Sequence, residues 1–552
     1  MALNLLSSPW LIGIRRNGER EAISPWQITE GMQTNPIVDL DAPRPSMRSA
    51  QFQFLLAVLQ SFQQPRDGTA WKALYLDPPS SDALRLALST HINHFELGGP
   101  GPRFMQEAGL AAIGNHLQIG ALPLGGPGEN TGKLNQDLFI KSGWIQGVCQ
   151  ACAATALLDL QLNAGGGGQG YRTSVRGGGP LNTFVVPSFC STGEQSKDSL
   201  WHLLWANVLD GEEWPDALGG TPSTFLPWGR TAQVGTESGI VTPKNVHALT
   251  ALWGMPRRIL FDLDGLESGI CDFCGMEDVP LVKDFWAMNR GENYEGWEHP
   301  HSPYYIGKDS GTKTDRLLPI HAGRRYVGYE RWPMVVFSSD KTGAPARVVA
   351  AAQSPASRKG RIAYQEGWGL WIHGLEVDNA KILGFWSSQL PLVYTPAGVS
   401  AQVIRDQAAM MVEAAGRGRM ALTSALKLAW FSEVRGKKVN SLEFPEVAFL
   451  EGTEPSFFRL LQRFAGGLVG ANVEQIAELR DEIGLEWAKA IREEVYLGFE
   501  CWAERGQDEY NPERASKARQ YIAGMLNGKK FHGLLGIRIP EGTMAERSKG
   551  SV

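Results

Sequence analysis

Two cysteine pairs, Cys149-Gln-Ala-Cys152 and Cys271-Asp-Phe-Cys274, use four of the six cysteines in the chain and stand on either side of residues 153–270. A two-residue spacer folds into a tight knuckle that aims both sulfurs at one point. Two such knuckles supply the four soft ligands of a closed tetrahedral site, with Zn–S bonds of about 2.3 Å. Gly275 after the second clip suits the turn that closes a knuckle. A redox dithiol or two unrelated buried pairs are the competing explanations. A redox CxxC needs one clip, normally opening a helix in a βαβ setting, and leaves the second pair unexplained. The expectation is therefore one structural zinc shared by Cys149, Cys152, Cys271 and Cys274. Four protein ligands leave no open position, so this metal staples the fold and does no chemistry.

A chain of 552 residues exceeds one ordinary core and points to two or three domains. The two remaining cysteines, Cys190 and Cys501, are isolated, which argues against a disulfide framework and for a reducing, cytoplasmic setting. Residues 1–13 lack a basic leader segment and are interrupted by Ser7, Ser8 and Pro9, unlike a signal peptide. No stretch reaches the roughly 18 apolar residues of a membrane span, so no membrane partner is expected. The net charge of −5 excludes a surface that is basic throughout. Local loops can still meet nucleic acid, because phosphate attraction is screened within about 8–10 Å at physiological salt.

The texture changes once along the chain. Residues 1–395 carry short apolar runs, frequent Gly and Pro, and most of the 18 tryptophans. They predict an irregular, mixed α+β domain holding the zinc knuckles. Strands are expected at 334–337, 347–351 and 381–385, and helices at 49–60 and 152–162. From 400 to about 530 the spacing is helical. Ile476, Leu479, Ile483, Trp487, Ile491, Val495, Phe499 and Trp502 recur every three or four residues, one face of a helix over 472–503. Asn511 as N-cap and Pro512 in the first turn open another that stops near Gly528. With helices near 400–431 and 455–464 these predict an antiparallel four-helix bundle joined by short connections. Lys437, Lys438, Lys517, Arg519, Lys529 and Lys530 lie on or beside it, as a solvated face or a backbone-contacting patch. Residues 540–552 read as a disordered tail.

Two segments carry candidate chemistry. Between Gly165 and Gly179, eight of fifteen residues are glycine. Stripping side chains from the backbone permits close approach to a rigid partner such as a nucleic acid groove, although a flexible linker has the same composition. No Gly-Lys-Ser/Thr follows, so this is not a phosphate-binding P-loop, and a helix in place of a strand precedes it, unlike a dinucleotide fingerprint. The second segment, Trp297-Glu-His299-Pro-His301-Ser-Pro303, can be a metal site or a general base, making a zinc-dependent hydrolase or nuclease the alternative function. Pro300 and Pro303 fix its backbone, and a structural turn is the stronger reading. No GxSxG, HExxH or paired-carboxylate arrangement is found.

Several of these features in this order resemble the CasA family, the large subunit of the type I-E CRISPR surveillance complex, Cascade. They are Asn4-Leu-Leu6 with Trp10, Pro102-Arg-Phe-Met-Gln106, Phe139, both clips, the run from Gly170 to Phe184 and His299-Pro-His-Ser-Pro303. The likeness spans nearly the whole chain. It implies a non-catalytic subunit that inspects duplex DNA for a protospacer-adjacent motif, wedges the strands apart for guide RNA to pair, and helps recruit the helicase–nuclease. Base pairing then reads the sequence while protein reads a short tag. Carried onto this chain, the glycine loop falls on Gly166, Gly167, Gly168 and Gln169, the last standing where glycine is expected. Lys141 would face the DNA, and Phe139 would anchor on the guide RNA or a neighbouring subunit. The basic minor-groove residue falls at Asn289 or Arg290, with Arg290 the better chemical choice. The wedge falls at Asp378-Asn379, in a hairpin over 371–386. The implied partners are the other Cascade subunits, CRISPR RNA, double-stranded target DNA and the helicase–nuclease.

Overall fold

The computed structural model describes all residues except 1–2, 128–130, 132, 136, 164, 166–171, 188–197, 231–239, 309–313, 323–327, 339–342, 379–380, 397, 432–441, 506–510 and 538–552. The chain divides into two compact units. The first is Met1–Arg324 with Ser338–Gln389, and the second is Arg325–Phe337 with Leu390–Val552.

The first unit is α+β and is built from small pieces. Its sheets have two or three strands each, too few to bury a wide apolar face, so helices and loops close the core around them. The helix Pro45–Phe62 runs through the middle and is buried over almost all of its length. Tryptophans fill the space around it. Burying an indole leaves one N–H to satisfy, and several find an oxygen distant in sequence. Trp71 Nε1 donates to the Trp205 carbonyl at 3.1 Å while Trp205 Nε1 donates to that of Trp71 at 2.9 Å. Trp253 donates to Ser61 Oγ at 2.9 Å and Trp297 to the Val241 carbonyl at 2.8 Å.

Three strands form the sheet that holds the hairpin of the expected wedge. Asn182–Val186 pairs antiparallel with Gly369–Asp378, with Phe184 opposite Trp371 and Asn182 opposite His373. Lys381–Pro391 completes the hairpin on the other side. The strand predicted at 381–385 is present within this longer one. Those predicted at 347–351 and 334–337 are helices instead, Arg347–Gln353 and Trp332–Val336. Short apolar runs do not reveal their period. Pro333 in the first turn and the alanines at 350–352 favour helix at these sites.

The second unit is helical. Ala401–Trp430, Glu443–Gly467, Val473–Ala503 and Pro512–Asn527 pack on one another, and the short helix Lys529–Leu534 joins them. Ser400, Asn472 and Asn511 cap their helices by accepting from the backbone N–H of Gln402, Gln475 and Arg514. The helix expected to begin at Pro455 begins at Glu443 and carries that proline inside it. Arg325–Phe337 belongs to this unit through Tyr329, which stacks on Phe457 with ring centres 4.6 Å apart and bonds Thr453 at 2.8 Å. Among the described residues no helix is long and apolar enough to cross a membrane. The expected tail at 540–552 and the lysines at 437 and 438 lie outside the described residues.

Candidate metal centre and nucleic-acid interface

The four clip cysteines converge. Their sulfurs all lie within 4.8 Å of one another, with Cys149 Sγ and Cys274 Sγ 3.9 Å apart. Tetrahedral geometry with bonds of about 2.3 Å sets neighbouring sulfurs roughly 3.8 Å apart, so the donor set fits one thiolate-bound cation. Cys149 belongs to the short strand Val148–Cys149 and Cys152 to the first turn of the helix Gln150–Asn163. The second knuckle closes on itself, Gly275 N–H donating to the Cys271 carbonyl at 2.9 Å with φ +73° at Gly275. Asp272 ties the knuckles together, accepting from the N–H groups of Gln146 (2.7 Å) and Gly147 (2.9 Å). The Cys149 N–H donates to Cys271 Sγ at 3.2 Å. Thiols of Cys149 and Cys152 donating to Cys271 hold its pKa far down, while Cys149 and burial hold Cys152 far up. One thiolate crowded by thiols is the arrangement a divalent cation relieves. Among the described residues this is the only group of three or more Cys, His, Asp or Glu placed to hold a metal ion.

His299 and His301 do not form an open site. Both rings are buried to within a few per cent of full burial. The His301 N–H donates to His299 Nδ1 at 3.1 Å, Tyr304 Oη accepts from the His299 N–H at 2.6 Å, and His301 packs edge-on to Phe184. With His373 they surround Arg176, a buried guanidinium whose bonds go to neutral acceptors: Gln53 Oε1 at 2.7 Å, Ser302 Oγ at 3.4 Å and Asn182 Oδ1. Burial, then the Arg176 charge, pushes His301 down to about 3 and His299 and His373 well below their ordinary value. These imidazoles are neutral core side chains, out of reach of a substrate, and the hydrolase alternative has no site here.

The clip helix leads to the candidate interface. It ends at Asn163, the glycine-rich segment follows, and Asn182–Val186 then enters the hairpin sheet. Gly166, Gly167, Gly168 and Gln169 lie outside the described residues, as does Asn379, but the stems of the segment are defined. Arg257 Nη2 donates to the Gly165 carbonyl at 2.6 Å. A Cβ on Gly165 would stand 3.8 Å from Val377 Cγ1. Gly179, at φ +64°, sits so close to the hairpin that a Cβ there would lie 2.6 Å from Val377 Cγ2 and 3.0 Å from the Leu375 carbonyl oxygen. Val377 immediately precedes Asp378, the last residue of its strand. The exit stem of the glycine-rich segment therefore presses on the strand that carries the expected wedge, and the entry stem lies beside it.

The expected groove residues stand beside the same stem. Asn289 and Arg290 line a cavity of about 170 Å³ together with Leu160, Arg257, Arg258 and Met288. Gly291 is pressed onto the segment at Pro256–Arg257, where a Cβ would fall 2.2 Å from the Pro256 carbonyl oxygen and 3.2 Å from the Arg257 nitrogen. Arg290 is exposed and holds φ +65°, a conformation that costs a non-glycine residue energy and concentrates at functional places. Arg258 is spent on Glu107 through a bidentate pair at 2.6 and 2.7 Å. Arg257 was missed in the sequence; its only signal is an arginine doublet between Pro256 and the apolar run 259–261.

Two expected residues lie before the first clip. Lys141 Nζ is turned back onto Asp137, 2.5 Å from its carbonyl and 3.4 Å from its carboxylate. Phe139 is half exposed, and Leu134, Leu138 and Trp144 beside it in sequence are as bare or barer.

The comparisons agree with one another. A likeness of fold alone, at low identity, links the chain to a CRISPR-associated protein from Thermus thermophilus (TM-score 0.66, 16% identity, 96% of this chain and 99% of that one). Cse1 from Acidimicrobium ferrooxidans is similar at TM-score 0.62 and 17% identity, covering 97% of this chain and 99% of that one. A chain of a CRISPR RNA-guided surveillance complex matches at TM-score 0.55 and 14% identity, over 90% of this chain and 99% of that one. The family described as CRISPR-associated protein Cse1 matches residues 4–496, and the chain belongs to that family.

Proposed function

We propose that this protein is the non-catalytic, motif-reading large subunit of a type I-E CRISPR RNA-guided surveillance complex. The observation that carries the reading is the convergence of both glycine stems, the hairpin strand at Val377 and the Arg257–Arg290 edge on one face of the first unit. Glycines give close backbone approach to a minor groove, whose degenerate code suits tolerance of several tags. Arg290, with Asn289 beside it, supplies the groove cation. Asp378-Asn379 at the hairpin tip separates the strands, after which guide RNA takes over the reading. Phe139 and its exposed apolar neighbours anchor the chain on the guide RNA end or an adjoining subunit, and Lys141 releases Asp137 to meet DNA. Cys149, Cys152, Cys271 and Cys274 hold a structural zinc that fixes the start of the clip helix. The helices from 400 to 530 act as an antiparallel four-helix bundle toward the small subunits and displaced strand, with the first unit, most of residues 1–395, as the reading domain. The same subunit recruits the helicase–nuclease. All of this takes place in the cytoplasm.

The test uses the assembled complex and a pool of guide-matched duplexes with randomised flanking positions. The complex should enrich particular flanks and cut none of them by itself. Gly168→Val places a branched side chain where the groove wall stands and should abolish flank enrichment, with binding of single-stranded target largely kept. Arg290→Ala should weaken duplex binding mildly and flatten its salt dependence. Unchanged enrichment by Gly168→Val would make the glycine segment a linker.

A further inference from the structure

We infer that Arg257 is a positioning residue that locks the entry stem of the glycine-rich segment against the hairpin strand, so that stem and wedge present to a duplex as one rigid element. The inference rests on the motif-reading function above. It extends the same cluster of Gly165, Gly179, Val377 and Arg257 to a role for the arginine itself. Arg257 is itself held at the backbone: its N–H donates to Gln161 Oε1 and its carbonyl accepts from Gln161 Nε2, both at 2.9 Å. Gln161 is buried in the clip helix, two residues before its end. That two-way bond fixes where the guanidinium starts, and the 2.6 Å bond to the Gly165 carbonyl fixes where it ends. A charged donor on a half-buried carbonyl is among the stronger hydrogen bonds available.

The exit stem is locked by shape. The Gly179 N–H donates to the Asn163 carbonyl at 3.4 Å, returning the segment to the end of the same helix. The missing Cβ of Gly179 lets its backbone lie on Val377 and Leu375. Both stems are thus referred to the clip helix and to Val377 together. A flexible linker requires neither contact. The lock matters because a side chain one position beyond Val377 must meet a base step at a defined distance from the groove-reading backbone. If the stems drift, groove reading and strand opening fall out of register.

The duplex pool with randomised flanks tests this in the assembled complex. Arg257→Met keeps an unbranched apolar stem and removes the donors. It should lower affinity for the enriched duplexes roughly tenfold, as expected for loss of one charge-assisted bond, and compress the enrichment between flanks. Binding of single-stranded target should stay within about twofold, since guide pairing alone carries it. Arg257→Lys retains one donor and should recover part of the loss. Gly179→Ala should also lose enrichment, and adding Val377→Ala should restore a portion by removing the colliding methyl group. Equal enrichment by Arg257→Met and the parent overturns the lock. An equal loss on duplex and single strand overturns it as well, because that is a folding or assembly defect. A parent complex that enriches no flank sinks the motif-reading function, and the lock with it.

Discussion

The two compact units are held together by opposite means. In the first, adhesion is spread over contacts between residues far apart in sequence: reciprocal indole-to-carbonyl bonds, paired clips, and a buried arginine among neutral acceptors. In the second, helices bury periodic faces on their neighbours, and Ile483, Trp487, Ile491, Val495 and Phe499 are all fully covered. Helical packing reuses local order that forms cheaply, whereas the first unit must close long loops before any contact is gained. The unit that carries the proposed interface is therefore the one most dependent on staples.

Removing a staple should give the largest contrast. Cys271→Ser should take bound zinc from about one per chain to near zero and destabilise the first unit by several kcal/mol, since structural zinc binding is folding free energy. Segment-resolved hydrogen exchange should quicken around 148–163 and 267–282 while the helices from Ala401 to Ala503 stay protected. Full zinc retention in that variant would refute the shared site.

Trp487→Ala attacks the other unit. The indole is buried, donates to the Met411 carbonyl at 2.8 Å, and meets Tyr329 and Phe457 edge-on. Loss of about 3–5 kcal/mol is expected from a cavity of this kind, with zinc content unchanged. A cost under about 1 kcal/mol would show that helix packing around this face does not hold the unit together.

Acid should separate the units more gently. His299, His301 and His373 stay neutral when folded but take up protons when unfolded at pH below about 6.5. The unfolded first unit then binds more protons, so its stability is complete above pH 6.5 and falls as pH drops toward about 3. Asp159, raised to about 6 by burial, opposes this as one carboxyl against three imidazoles. The net loss between pH 7 and 6 should be roughly 1–2 kcal/mol. The second unit contributes no histidine to this buried cluster, and exchange there should hardly change over that interval. Equal acid sensitivity in both units would contradict the neutral cluster.

Residue type and spacing by themselves picked out the four cysteines that converge, because two-residue spacers and soft sulfurs state their chemistry locally. They also determined the long helices from 400 onward and the Asn511 cap, because a 3.6-residue period and an Asn at the head of a helix act within a few residues. The order of quoted motifs pointed to the family. Short elements escaped: residues 334–337 and 347–351 are too brief to show a period, and proline and alanine settled them as helix. Only tertiary structure decided that His299 and His301 are core, since burial beside Arg176 is a property of their surroundings and not of an alternating His-Pro-His. Only tertiary structure brought Gly165, Gly179, Arg257 and Val377 together. Their sequence separations run from fourteen residues to about two hundred, and nothing in an isolated arginine or valine announces the partner that chain closure will set beside it.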